Sequence, residues 1–228
     1  MNKDLLELIE NYAIKEHSEI SGNLIGKSKD NLIAILLDLL TMYYNDLNSS
    51  TMRELVVAVK AGYVPNTEKL GYNGHRQNTL TGEVEHCEIK PRNFRTDSKA
   101  KNPTKLNGGG NFTDYGWEKF ERHKEENPNM VIAGFVDGHL IHIFEFSFNE
   151  ESFTSQLQKQ LERHFPNGDV EGIYLRSASF SFIHYKDAES LKPIYVAPRE
   201  ELIKAKPYMT KALFEQLCLF ERSKKKLQ

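Results

Sequence analysis

The N-terminal quarter of the chain carries apolar residues three and four positions apart, which is the spacing of a helix with one buried face. The first run begins with Leu5 and Ile9, and two further runs follow at 30–44 and 52–61. Acidic Asp30 suits the first turn of the second run. The pattern therefore predicts a helical N-terminal part, residues 1–62.

Strand-like patterns follow. Residues 70–90 have two extended ends around a middle rich in Gly, Asn and Thr, which predicts a hairpin with a long loop. Residues 129–148 are two apolar runs joined by Asp137-Gly138, a strong signal for a tight hairpin turn. Further helices are predicted at 114–126, 150–165 and 209–226, and a further strand at 172–185.

Helices on either side of several strands predict an α/β fold, with α+β as the alternative, built on a central mixed β-sheet flanked by helices. At 228 residues and 39% hydrophobic, the chain suits one domain, residues 1–228, with its own core. No run approaches the apolar length of a membrane span, so we expect no membrane partner. Two cysteines, Cys87 and Cys218, and the lack of a leading apolar segment favour a cytoplasmic location.

The net charge of -2 hides an uneven distribution of charge. Residues 90–105 hold six Lys or Arg and one acid, Asp97, so a nucleic-acid partner is compatible with the near-neutral total. Few apolar residues and the glycine run 108–110 predict that 91–113 is a loop. This loop either contacts phosphates or is an ordinary solvated segment, and the glycines either cradle a phosphate or form a flexible turn.

Charged and apolar residues alternate in the strand that ends at Lys90. Alternation places Glu88 and Lys90 on one face, and Cys87 and Ile89 on the other, which can join a core. A carboxylate on a rigid strand is a good ligand for Mg²⁺, and a neighbouring lysine can orient a water or stabilise charge on phosphorus. These residue types in this order are parts of a phosphodiesterase site.

The tripeptide Glu88-Ile89-Lys90, late in the second strand of a hairpin, resembles the E-x-K half of the PD-(D/E)XK nuclease motif. The resemblance implies a restriction-endonuclease-like catalytic core over 63–228. It also implies that Glu88 and the main-chain carbonyl of Ile89 bind Mg²⁺, and that Lys90 serves the attacking water. Two segments, 105–120 and 129–148, are also similar in pattern to type II restriction endonucleases.

The chain departs from the motif at its upstream acid. Where an aspartate is typical, it reads Tyr72-Asn73-Gly74, so Asn73 would offer Mg²⁺ only a neutral carbonyl oxygen. Glu68 is the nearest upstream acid, and Glu54 on the third predicted helix is the alternative.

By resemblance we expect an endodeoxyribonuclease that binds double-stranded DNA, needs Mg²⁺ and cuts at a palindromic site as a homodimer. A repair or structure-specific nuclease and a catalytically inactive DNA-binding module are the alternatives. The residues expected to contact DNA all lie in or just after the basic loop: Arg92, Asn93, Arg95, Lys105, Asn111, Thr113, Asp114 and Tyr115.

Overall fold

The computed structural model describes residues 3–45, 50–66, 71–99, 101 and 103–225. They form the mixed α/β fold that the sequence predicts, with one six-stranded mixed sheet and one two-stranded sheet. The helices are α1 (Lys3–Ile14), α2 (His17–Ile20), α3 (Lys29–Asn45), α4 (Thr51–Lys60), α5 (Trp117–Glu126), α6 (Glu151–His164), α7 (Arg199–Ala205) and α8 (Lys211–Lys225). The strands are β1 (Val64–Pro65), β2 (Gly74–Gln77), β3 (Val84–Phe94), β4 (Gly110–Phe112), β5 (Asn129–Val136), β6 (His139–Ser147), β7 (Ala178–Phe180) and β8 (Lys192–Val196).

The large sheet has the strand order β1, β2, β3, β5, β6, β8. β3 and β5 are parallel, with Glu88 opposite Met130 and Lys90 opposite Ile132, whereas the other neighbours are antiparallel. A parallel pair needs a crossover connection, which here runs through β4 and α5. β3 therefore lies between its hairpin partner β2 and its crossover partner β5.

Two hydrophobic layers cover the faces of this sheet. On one face, α1 and α4 pack on the odd-numbered residues of β3, and both Cys87 and Ile89 are buried as the alternation predicts. On the other face, α5, α6, α7 and α8 pack on aromatic residues of β6 such as Phe144 and Phe146. The predicted helical N-terminal part thus contributes to the same core as the sheet, and Glu88 and Lys90 point toward the second layer.

The predicted β5–β6 hairpin is confirmed. Asp137 has a φ of 48° and Gly138 a φ of 85°, so both central residues of the turn adopt the left-handed conformation. Two-residue hairpin turns of this kind match the twist of the paired strands and favour Asp-Gly for that reason. Local turn chemistry therefore determines this connection.

Two predictions of local structure are wrong in part. The predicted loop 91–113 is not continuous, because β3 extends to Phe94 and Gly110–Phe112 forms β4. Within 172–185 only Ala178–Phe180 is a strand, and it pairs with β4 rather than with the large sheet. Strand β8 and helix α7 were not predicted. Short strands of this kind depend on a distant partner, and their own sequences carry little periodic signal.

A buried ionic cluster lies on the α1 and α4 side of the sheet. The guanidinium of Arg76 on β2 donates to Glu145 on β6, at 2.8 Å to Oε1 and 3.1 Å to Oε2, and to Glu85 on β3 at 2.8 Å. The Tyr63 hydroxyl also donates to Glu145 at 3.0 Å, and the Tyr63 ring lies under the guanidinium. Although burial opposes it, hydrogen bonding to Arg76 holds the pKa of Glu85 below its usual range. The cluster ties β2 and β3 to β6 across β5.

Candidate functional site

Glu88 and Lys90 form a close ion pair on one face of β3. Lys90 Nζ donates to Glu88 Oε1 at 2.6 Å, and the side chains of Lys90 and Glu88 are 21% and 16% exposed. Their neighbours on β5, Met130 and Ile132, are buried. The pair therefore lies at the boundary between the hydrophobic layer and solvent, where electrostatic interactions are stronger than in bulk water.

Strand β4 packs directly on Lys90. A Cβ atom at Gly110 would lie 2.8 Å from the Cβ of Lys90, so only glycine permits this approach. The ring of Phe112, two residues further on, has its centre 4.7 Å from Lys90 Nζ. The glycine run, predicted either to cradle phosphate or to form a flexible turn, thus provides close backbone packing that fixes the lysine side chain.

Asn73 connects the E-x-K strand to helix α4. Its Oδ1 accepts a hydrogen bond from the Ile89 amide at 2.7 Å, and its Nδ2 donates to Glu54 Oε2 at 3.2 Å. The structure thus brings together Asn73, Glu88, Ile89 and Lys90, as predicted from sequence, and it places Glu54, the alternative upstream acid, against Asn73. Glu68, the other candidate for the upstream acid, lies outside the described residues.

A cluster of aromatic and imidazole rings lies within reach of the Glu88 charge, which acts on Tyr72, Tyr115 and His123. The Tyr115 hydroxyl is 3.0 Å from Nδ1 of His123, and the Tyr72 ring stacks on His86 with its centroid 5.4 Å away. Burial lowers the pKa of His123 to about 4, and the nearby Glu88 carboxylate opposes this shift. His123 is therefore neutral near pH 7.

Sequence reasoning missed His123 as part of this site. The available signal was its position three residues after Phe120 on an amphipathic helix, which places both on the buried face. Periodicity indicates that His123 is buried, but it does not indicate that Glu88 lies beside it.

We expect the buried histidines to make stability fall below neutral pH. Burial also lowers the pKa of His142, to about 3, and neither of its ring nitrogens has a hydrogen-bond partner among the described residues. A folded state that binds protons more weakly than the unfolded state loses stability as the pH falls below the unfolded value of about 6.5. From pH 7 to pH 5, His123 and His142 should each contribute a loss of about 2 kcal/mol in the free energy of unfolding.

Urea unfolding at several pH values between 7 and 5 measures this loss. His123→Leu and His142→Leu should each reduce the loss of stability between pH 7 and pH 5 by about 2 kcal/mol, even if the substitution itself changes the stability at pH 7. His164→Gln, at an exposed position on α6, is the control and should leave the slope unchanged. Equal slopes in all four proteins would contradict this account of the two imidazoles.

The residues predicted to contact phosphates occupy different environments. Arg92 and Asn93 are half-buried on β3, and Asn93 Oδ1 accepts a hydrogen bond from the Gly138 amide. Arg95 is exposed but paired with Asp97 through two hydrogen bonds, at 3.0 and 2.7 Å. Lys105 is exposed. Arg92 and Lys105 therefore carry positive charge that no carboxylate neutralises within the described chain.

One predicted DNA contact is corrected by the structure. Tyr115 is 1% exposed, packs on Phe112 and bonds to His123, so its ring belongs to the core and cannot contact bases. Thr113 and Asp114 are exposed just before α5. Asn111, on β4, is half-buried opposite Ser179 of β7. The sequence alone did not show that Tyr115 is buried while its neighbours Thr113 and Asp114 are exposed.

Glu88 is the carboxylate beside Lys90 that could hold a magnesium ion together with a substrate phosphate. The described residues contain no group of three or more His, Cys, Asp or Glu side chains arranged to hold a metal. Mg²⁺ usually takes one or two protein carboxylates, substrate phosphates and several waters. Glu88 supplies one carboxylate on the face of β3 that carries Lys90, and Glu54 bonds to Asn73 from α4, which packs on the opposite face. We therefore expect weak binding of Mg²⁺ in the absence of DNA.

No protein-family model matches the chain, and a search of curated proteins found no significant relative. Within the described residues, no helix is both long and apolar enough to cross a membrane. The function of the protein is therefore inferred from the geometry and chemistry of the site.

Proposed function

We propose that this protein is a Mg²⁺-dependent endodeoxyribonuclease that hydrolyses a phosphodiester bond of double-stranded DNA. One observation carries the proposal: Glu88 and Lys90 touch at 2.6 Å on one face of β3, while Asn73 links the intervening Ile89 to the Glu54 carboxylate. Two carboxylates and an ammonium around one strand are the groups that metal-assisted phosphodiester hydrolysis requires. The resemblance of Glu88-Ile89-Lys90 to the E-x-K half-motif supports the same reaction.

Each residue has a distinct task in this proposal. A bound Mg²⁺ would polarise the scissile phosphate and make a water more acidic. Lys90, fixed by Gly110 and Phe112, orients the attacking water and stabilises negative charge that develops on the phosphate oxygens. Glu88 would hold the Mg²⁺, with the Ile89 main-chain carbonyl, and it also accepts a hydrogen bond from the Lys90 ammonium.

The finer proposal is a type II restriction endonuclease that acts in the cytoplasm as a homodimer on a palindromic site. Two-fold symmetry of the DNA is matched by two-fold symmetry of the protein, and this gives the reason for a dimer. A repair or structure-specific nuclease would use the same groups without a defined sequence, and an inactive module would bind DNA without cutting it.

Incubation of the purified protein with Mg²⁺ and a large DNA of mixed sequence tests the proposal. Discrete fragments support the restriction enzyme, and a smear supports a nuclease without sequence preference. Intact DNA in Mg²⁺ and in Mn²⁺, from protein shown to be folded, would overturn the nuclease proposal. EDTA should abolish cleavage in either of the first two cases.

We expect Glu54, rather than Glu68, to act as the second acid. Glu54→Gln should lower the rate of cleavage at least about a hundredfold, because it removes a charge that would face the metal and phosphate. Glu68→Gln is the matched control and should cut normally. Asn73→Ala should lose most activity, since it removes the link between Ile89 and Glu54. If Glu54→Gln cuts normally while Glu68→Gln is inactive, the second acid is Glu68.

We also expect the basic residues after β3 to bind phosphates unequally. Removing one cation that binds a phosphate should reduce the slope of log K against log salt by about 0.9. Arg92→Ala and Lys105→Ala should each show this reduction for every DNA sequence. Arg95→Ala should show less, because Asp97 already neutralises that guanidinium. Fluorescence anisotropy over a salt series measures the slopes, and three unchanged slopes would mean that the segment is only solvated.

A further inference from the structure

A second concentration of positive charge surrounds a cleft that the proposed active site does not use. The cleft has a volume of about 450 Å³ and lies where α6 meets β7. Among the nine residues that line it, all within the described part of the chain, none is Asp or Glu. Lys159, Arg163 and His184 line it together with the hydroxyl-bearing Ser179 and Ser181. Its chemistry is that of an anion-binding surface.

The two cations of this cleft are exposed and unpaired. Lys159 and Arg163 are four residues apart on α6, so both project from the same side of the helix. Neither has a carboxylate partner among the residues that the structure describes. Burial, and then the positive charge of Lys159, lowers the pKa of His184. Lys159 and His184 are therefore close enough to interact electrostatically.

The elements that carry these groups are firmly held together. Gln160, between the two cations, donates to the Ser179 carbonyl and accepts from the Ser179 amide, both at 2.9 Å. The Ser181 amide donates to Nδ1 of His184 at 3.0 Å. Groups fixed on rigid elements lose less freedom when they bind a ligand. The cleft is therefore preorganised for an anion.

The position of the cleft relates it to the proposed active site. Phe180, in its lining, has its ring against Gly110, which in turn contacts Lys90. The β4–β7 pair thus lies between the cleft and Lys90. Because side chains alternate along β7, the exposed Ser179 points away from the buried Phe180, and its backbone bonds to Gln160 of α6.

We propose that this cleft binds phosphates of a DNA strand adjacent to the phosphate hydrolysed at Glu88 and Lys90. The inference depends on the proposed function for the position of that strand. Lys159 and Arg163 lie about 6 Å apart along the helix axis, which suits a repeating polyanion better than a single enclosed anion. Ser179 and Ser181 add neutral hydrogen-bond donors for phosphate oxygens. Contacts of this kind position the strand and carry no sequence information.

Binding of a labelled DNA duplex in a salt series tests this inference in a Glu88→Gln background, which should bind DNA without cutting it. The double change Lys159→Ala and Arg163→Ala should weaken binding at least about tenfold at low salt and reduce the slope of log K against log salt by about 1.8. Lys159→Arg with Arg163→Lys, which keeps both charges, should keep the slope. Lys3→Ala with Lys15→Ala is the matched control for the loss of two exposed positive charges, because α1 packs on the face of the large sheet opposite to that covered by α6.

The outcomes separate this inference from the proposed function. Cleavage by the wild-type protein together with an unchanged slope in the Lys159 and Arg163 variant would overturn the inference alone. A reduced slope in a protein that never cuts DNA would keep the cleft as a DNA-binding site and overturn the nuclease proposal. Absence of any DNA binding by the Glu88→Gln protein and by the wild-type protein would overturn the inference.

Discussion

Replacement of Lys90 by Met should reduce the rate of Mg²⁺-dependent DNA cleavage at least about a hundredfold and leave DNA binding intact. Met keeps the length of the side chain against Gly110 but removes the ammonium that lies 2.6 Å from Glu88. Glu88→Gln should have an effect of similar size, because the amide keeps the shape of the carboxylate but not its charge. Single-turnover cleavage with enzyme in excess measures both rates independently of product release.

A second lysine–glutamate pair provides the control for this experiment. Lys204 donates to Glu201 at 2.7 Å on the surface of α7, so its geometry resembles that of the Lys90–Glu88 pair. Lys204→Met and Glu201→Gln should cleave DNA at the wild-type rate. Near-normal cleavage by Lys90→Met or Glu88→Gln, with protein of wild-type stability, would remove these two residues from the reaction.

Replacement of Arg76 by Met should lower the free energy of unfolding by about 3–5 kcal/mol. Glu145 has a side chain that is 3% exposed, and Arg76 supplies two of its hydrogen bonds. Without the guanidinium, the carboxylate stays in the core with Tyr63 as its one remaining side-chain donor among the described residues. Urea denaturation at pH 7 measures the loss.

Arg95 offers a matched control in the same protein. It also forms two hydrogen bonds with a carboxylate, that of Asp97, but the two side chains are 68% and 67% exposed. Arg95→Met should therefore have a much smaller effect on stability than Arg76→Met. The double change Arg76→Met with Glu145→Leu should recover much of the stability, because no buried charge remains. A loss below about 1 kcal/mol in Arg76→Met alone, the range of an exposed pair, would show that the cluster is well solvated.

Local pattern was sufficient wherever a short stretch of sequence determines its own conformation. Alternation in β3 predicted the burial of Cys87 and Ile89 and the common face of Glu88 and Lys90. Asp137-Gly138 predicted its hairpin because few dipeptides adopt two successive left-handed conformations at low cost. These features depend on side-chain spacing and backbone preference, and both can be read directly from the chain.

The sequence pattern did not predict a strand, or the burial of a charged residue, where these depend on a partner that is distant in the chain. Strand β4 exists because Gly110 to Phe112 pair with β7, whose residues come far later in the chain. Strand β3 continues past Lys90 to Phe94, but the charged residues in this part of the sequence do not show the pattern of a strand. The sheet accommodates them because long charged side chains reach solvent near the end of the strand. Glu145 among phenylalanines is compatible with burial or exposure, and its burial depends on hydrogen bonds from Arg76 and Tyr63, 69 and 82 positions earlier.

The sequence by itself determined the fold class, the main hairpins and the pairing of Glu88 with Lys90 on one strand face. Tertiary structure alone decided that Asn73 bonds to Ile89 and Glu54, that His123 stands beside Glu88, and that Tyr115 is buried. Periodicity reports which face of an element is buried, because burial repeats with the geometry of that element. Periodicity does not predict which helix and strand faces pack against each other, because this depends on how α4, β2 and α5 are arranged around β3.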